Sequence, residues 1–220
     1  MIVHRHNYRR TAVVLGVSAA ILYCLWFLGY LFNPSAMANL DVSALQTQGQ
    51  PHYGFFVVGD IATGAVIFLL VFCLIKLFHR TKVHRRVSFW LCMLGLLAFG
   101  LMTALASFLP SCDTNTYACV ASLSQIFDLH DITGAIASVG QFLSMLCVLI
   151  LVRNKISDKL FKASVLLLIV WSISGLTFVI LSTGSLRWAL FMQHLFLVLS
   201  SLGLIAIPWA LTRSKFVANY

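Results

Sequence analysis

Few residues in this chain are equipped for chemistry, and they recur in a pattern. Gly59-Asp60-Ile61-Ala62-Thr63-Gly64-Ala65 nearly repeats as His130-Asp131-Ile132-Thr133-Gly134-Ala135. Each segment opens a long apolar run and sets an Asp near its start. A third run carries Gln193-His194 at a comparable place. A carboxylate at the centre of a membrane helix costs about 3 kcal/mol by insertion scales, so it needs a partner or a role. His130, His194 and Asp60 are of the types that hold zinc with one position left for water. Alternatively, Asp60 orients the His194 imidazole and raises its basicity for acid–base work. A structural reading stands beside both. Asp60 can bond Thr63, Tyr53 or a neighbouring backbone, and His194 can bond across helices. His130-Asp131 can cap the fourth helix, where an early Asp favours the dipole. The candidate polar pocket is therefore Asp60, His130, Asp131, Gln193 and His194. Ser43 joins it only if the loop before the second run folds back.

The elements that must position these side chains are membrane spans. The chain has 220 residues, of which 60% are hydrophobic and 10% charged, far from the composition of a soluble domain. Six apolar runs, at about 11–32, 53–78, 87–109, 130–152, 163–182 and 187–212, are long enough to cross a hydrocarbon core roughly 30 Å thick. In lipid each must be helical, because its backbone groups have no other partners. The expected fold is all-α: one bundle over 1–220, built as three helical hairpins in series, with a parallel internal symmetry. Ala36-Met37-Ala38 stands where a signal peptide would be cut, but the first run is too long for an h-region and reads as an uncleaved span.

Charge sets the orientation. The formal charge is +9, and of fifteen Lys and Arg only Arg187 falls away from the N-terminus, the connections 79–86 and 153–162, the adjoining Lys76 and the C-terminal tail. The positive-inside rule then puts both termini in the cytoplasm and the loops 33–52 and 110–129 outside, in an inner (plasma) membrane. The basic face meets anionic lipid headgroups. Nucleic acid is not expected as a partner, since there is no basic helix or aromatic–basic platform. At the helical rise Asp60 lies about 10 Å into its span. His194 is equally deep, and His130-Asp131 marks the outer boundary. If spans two, four and six adjoin, these groups meet in one pocket open to the outside.

Cys112 and Cys119 fall in an outer loop, where a disulfide would pin that loop over the pocket; a redox pair is the alternative. Cys24, Cys73, Cys92 and Cys147 lie within spans and read as packing residues. Gly95 with Gly100, and Gly134 with Gly140, suit close helix approach. Pro208 is expected to kink the end of span six. No Walker loop, GxSxG or HExxH is present.

Several motifs carry a resemblance. They are Asp41-Val42-Ser43-Ala44-Leu45, Gly49-Gln50-Pro51, Gly59-Asp60, Leu109-Pro110, the Cys112/Cys119 loop, His130-Asp131 and Gln193. With them the chain resembles the bacterial and archaeal six-span membrane proteins of domain of unknown function family 998, over nearly its whole length. The resemblance implies architecture and no activity. It marks Ser43, Asp60, Cys112, Cys119, His130 and Gln193. A looser similarity is to the alkaline ceramidase and adiponectin-receptor hydrolases, whose zinc is held by three His, two from HxxxH. This chain has one span fewer and no HxxxH.

The function expected first is binding of a lipid headgroup or small molecule in the outer pocket. The alternative is a metal-dependent membrane hydrolase, with zinc as the cofactor. A transporter is a further alternative, disfavoured because the inner half lacks strongly polar groups. Haem held by His130 and His194 is disfavoured by their unequal depth. An accessory or assembly role without chemistry remains beside these. The sequence bears no mark of oligomeric state.

Overall fold

The computed structural model describes residues 2–39, 42–46, 49–79, 81–109, 129–181 and 186–213. Among them every regular element is helical. Helix α1 (Ile2–Tyr23) continues through a 3-10 turn (Leu25–Leu28) into α2 (Gly29–Phe32). Helix α3 (Pro34–Asn39) and a second 3-10 turn (Val42–Gln46) follow. Then come α4 (Tyr53–Phe78), α5 (Val87–Ala106), α6 (Leu129–Val152), α7 (Asp158–Leu181) and α8 (Leu186–Arg213). Six stretches, starting with Asn7–Phe32, have 20 to 26 residues and mean hydropathy between 2.1 and 2.6, long and apolar enough to cross a membrane. This is a six-span, all-α membrane protein.

Most span limits lie close to where the apolar runs put them. The fifth starts earlier, at Asp158 and not Ala163. The Ser157 carbonyl accepts the Phe161 N–H at 3.0 Å, and Asp158 in the first turn suits the helix dipole. Lys159 and Lys162 are exposed, so the first turn needs no burial to form. The third helix ends at Ala106, and hydrogen-bonded turns carry the chain on to Leu109.

Each hairpin packs on itself: α1 on α4, α5 on α6, and α7 on α8. The hairpins close into a ring in the order α1, α4, α5, α6, α8 and back to α1, with α7 lying outside α6 and α8. Thus α6 and α8 adjoin, while α4 packs broadly on neither of them and faces them across the ring. Helix α7 buries only Leu168, Trp171 and Ser174. One apolar core draws on all six spans, through residues such as Ala19, Leu74, Phe89, Val148, Leu168 and Leu204.

Close helix approach falls on glycines, but not in the expected pairs. A Cβ on Gly64 would strike the Gly100 carbonyl, and one on Gly140 the Gly95 carbonyl. The contacts are therefore Gly64 with Gly100 and Gly95 with Gly140, each joining neighbouring helices so that backbones touch. A Cβ on Gly134 would meet nothing within 4 Å. Within one helix, residues five or six apart lie on different faces, which is why pairing them along the sequence fails. Pro208 lies inside the continuous α8, against Gly16 of α1.

The polar loop 33–52 folds back onto the bundle. Asn33, 4% exposed, donates from Nδ2 to Gln50 Oε1 at 2.7 Å and accepts from Ser35 Oγ at 3.1 Å. Met37 and Leu45 are buried with Trp26 and Phe56 in a second apolar cluster, which Val42 joins. Val42 and Leu45 stand three apart on a 3-10 turn, the spacing that aligns side chains on one side of such a turn. Burial of that apolar pair pulls the polar residues between and beside them onto the bundle.

Candidate functional site

The folded-back loop and all six spans enclose a cavity of about 850 Å³ at the loop end of the bundle. Its wall is divided. Ser43, Gln46, Asp60, His130, Asp131 and Gln193 line one part. Leu22, Phe142, Leu176, Val179, Phe196 and Leu197 are among the apolar residues of the rest.

Asp60 is half-buried on α4. Gln46 Nε2 donates to its Oδ2 at 2.6 Å. The Ser107 hydroxyl and the His130 imidazole lie within electrostatic reach of the same carboxyl. Tyr23 lies within reach of Asp60 as well, with its ring edge-on to Phe99 at 5.2 Å. Thr63, one candidate partner for Asp60, donates instead to the Gly59 carbonyl at 2.9 Å. Depth within the span removes Asp60 from bulk water, and the amide supplies the donor the carboxyl then needs.

His130 joins two helices. Its Nδ1 lies 3.1 Å from the Ala106 carbonyl and 3.3 Å from that of Leu109. Carbonyls only accept, so Nδ1 is the donor in both contacts. The C-terminal end of α5 thereby gains a donor for carbonyls that the helix leaves unsatisfied. His130 thus serves the end of the third helix, while Asp131 keeps the first-turn place that favours the dipole of the fourth. Asp131 is exposed in the first turn of α6. Gln193 Oε1 accepts the Val42 N–H at 3.1 Å and helps hold the folded-back loop. Ser43, on that loop, reaches the cavity wall.

His194 is placed elsewhere. Its Nδ1 lies 2.6 Å from the Leu190 carbonyl of its own helix. Its ring rests against Trp26, with centroids 4.9 Å apart, and Tyr30, at 5.9 Å. It is not among the residues lining the cavity. Gln193 and His194 are consecutive, so a helix turns them about 100° apart, and Gln193 takes the cavity side. The hydrogen bond on Asp60 comes from Gln46 and not from His194.

Among the described residues no three His, Cys, Asp or Glu side chains converge to hold a metal. The donor set formed by Asp60, His130 and His194 therefore does not fit zinc. Cys112 and Cys119 lie outside the described residues. The four described cysteines, Cys24, Cys73, Cys92 and Cys147, are free thiols.

Sequence reading misses Gln46, Tyr23 and Trp26 as site residues. The Val42/Leu45 spacing is the signal for Gln46, since it marks a turn with a buried side. Tyr23 and Trp26 look like ordinary span aromatics. Trp26 is 6% exposed and lines the cavity, and its buried indole N–H meets no acceptor among the described residues.

Beside and below the cavity, which Trp171 also lines, hydrogen bonds tie the bundle together. Gln141 Nε2 donates to the Ser200 carbonyl at 2.6 Å, and Trp171 Nε1 to Ser200 Oγ at 2.8 Å. Ser144 Oγ reaches the Cys92 carbonyl at 3.0 Å. These polar groups, without charge, join α6, α7 and α8 and α6 to α5.

Fold and site together define a polytopic helical membrane protein with a divided cavity near one end of its bundle. Compared with protein-family models, curated proteins and solved structures, the chain matches none.

Proposed function

We propose that the chain binds a membrane lipid or a small amphiphilic molecule in this cavity, at the extracytoplasmic side. The observation that carries the reading is the mixed wall: Gln46 bonds Asp60 with His130 close by, while most of the other lining side chains are apolar. Binding sites of several hundred Å³ with a few convergent polar groups have this form. The orientation rests on charge. Lys82, Arg85, Arg86, Arg153 and Lys155 sit at the end opposite the folded-back loop, the end that the positive-inside rule assigns to the cytoplasm. Both termini are then cytoplasmic, in a plasma or inner membrane. The motif likeness to the domain of unknown function 998 family is consistent with this architecture.

The test is mass spectrometry of lipids retained by purified protein. Wild type is expected to hold an amphiphile in simple stoichiometry, and Gly134→Phe to lose it. Gly134 faces the cavity with nothing near its missing Cβ, so a phenyl ring fills space without forcing the helices apart. Equal retention by both proteins would reject the pocket.

A hydrolase is the second reading, favoured by one observation: the folded-back loop brings Ser43 to the same cavity as Asp60 and His130. It requires chemistry without zinc from these residues, and Ser43→Ala would abolish turnover while leaving retention intact. A transport path has less support, because the apolar core and the Gly95–Gly140 contact fill the other half of the bundle.

A further inference from the structure

Val139 of α6 and Leu176 and Val179 of α7 have two faces at once. They are 67%, 63% and 62% exposed, and they also line the cavity. Helix α6 packs on α7 far less than on α5, and α7 far less on α6 than on α8, so the weakest wall of the cavity runs between α6 and α7, where these residues stand. Helix α7 is the peripheral span, and the exposed Ile173 and Ile180 beside the seam belong to its lipid-facing surface. The seam lies within two membrane spans, so what borders it is hydrocarbon and not water.

The polar end of the cavity selects by charge. Two carboxyl groups, Asp60 and Asp131, line it, and among the described residues no Lys or Arg does. A phosphate or sulfate head would face both with no cation of fixed charge to offset them. A hydroxyl or amine head finds acceptors in the same carboxyl groups. The buried Trp26 N–H, which meets no acceptor among the described residues, suits the oxygen of a hydroxyl.

We infer that the cavity takes a single-chain amphiphile whose head bears hydroxyl or amino groups and no negative charge, head beside Asp60 and tail leaving between α6 and α7 into the bilayer. This deepens the lipid-binding reading and rests on it. The bilayer supplies the ligand sideways, and the tail never crosses the aqueous loops.

Three probes with the same chain and different heads test it: monolauroylglycerol, dodecylamine and dodecyl phosphate, titrated onto full-length protein in nanodiscs and read by native mass spectrometry. Monolauroylglycerol is expected to bind at least about tenfold more tightly than dodecyl phosphate, with dodecylamine also ahead of it. Asp60→Asn is expected to narrow the gap for dodecylamine, because it removes the charge and keeps the shape. Leu176→Trp, which bulks the seam at a lipid-facing position, is expected to weaken monolauroylglycerol several-fold. Tightest binding by dodecyl phosphate, lost in Gly134→Phe, would overturn the head-group class and leave the pocket standing. Unchanged binding in Leu176→Trp would overturn the lateral path. Binding by no probe, or binding indifferent to Gly134→Phe, would remove the pocket reading itself.

Discussion

The two copies of the Asp-Ile segment have opposite fates in the fold. In the first, Asp60 lies well inside its span, bonded by Gln46, and Gly64 is pressed against the Gly100 backbone. In the second, Asp131 is exposed in the first helical turn, and Gly134 looks into open space. The threonines differ less: Thr63 bonds back to Gly59, and Thr133 to His130 at 2.7 Å. The local sequence sets local hydrogen bonds in the same way. Depth in the bilayer and the helix opposite decide everything else. One segment became a tight helix contact with a half-buried acid, the other an open helix start with an exposed acid, and both acids line the cavity.

The same substitution made in both copies should break the likeness most sharply. Gly64→Leu forces a side chain into the Gly100 carbonyl, and about 3 kcal/mol of destabilisation is expected, the upper part of the range for overpacked cores. Gly134→Leu is expected to stay within about 0.5 kcal/mol of wild type in denaturation by a mixed-detergent titration. Comparable losses in both would mean that Gly134 is packed after all.

The acids should differ next. Gln46→Ala removes one of the donors of the half-buried Asp60, Ser107 being the other, and is expected to cost about 1.5 kcal/mol, the lower range for a hydrogen bond to a charged group. Asp131→Asn removes only a favourable dipole contact at an exposed position and is expected to cost about 0.5 kcal/mol. The stability order in thermal scans checks both, and a reversed order would give Asp131 the structural role.

The smallest effect is a coupling. Asp60→Asn and His194→Ala are expected to be additive within about 0.5 kcal/mol, since their partners are Gln46 for one and Leu190, Trp26 and Tyr30 for the other. Asp60→Asn and Gln46→Ala are expected to be non-additive. A strong Asp60–His194 coupling in the double-mutant cycle would restore the pair that the sequence suggests.

The hydropathy pattern by itself determined six helical spans, because hydrocarbon forces every crossing segment to satisfy its own backbone and gives few other solutions. The up-and-down order of the spans followed too, since each crossing must end on the side where the next begins. The acids and histidines near the loop end were also legible, because a polar side chain inside an apolar run stands out against it. Only the tertiary structure decided which of them share a wall. Asp60, His130, Asp131 and Gln193 came together there, and His194 turned away, because a single residue step rotates a helical side chain by about 100°. Apolar spans give no moment strong enough to say which way that rotation points. The glycine pairs were hidden for the same reason, since they join separate helices. The folded-back loop was hidden by its polar composition. Two apolar residues, the buried Leu45 and the partly buried Val42, outweighed that average and carried Ser43 and Gln46 to the site.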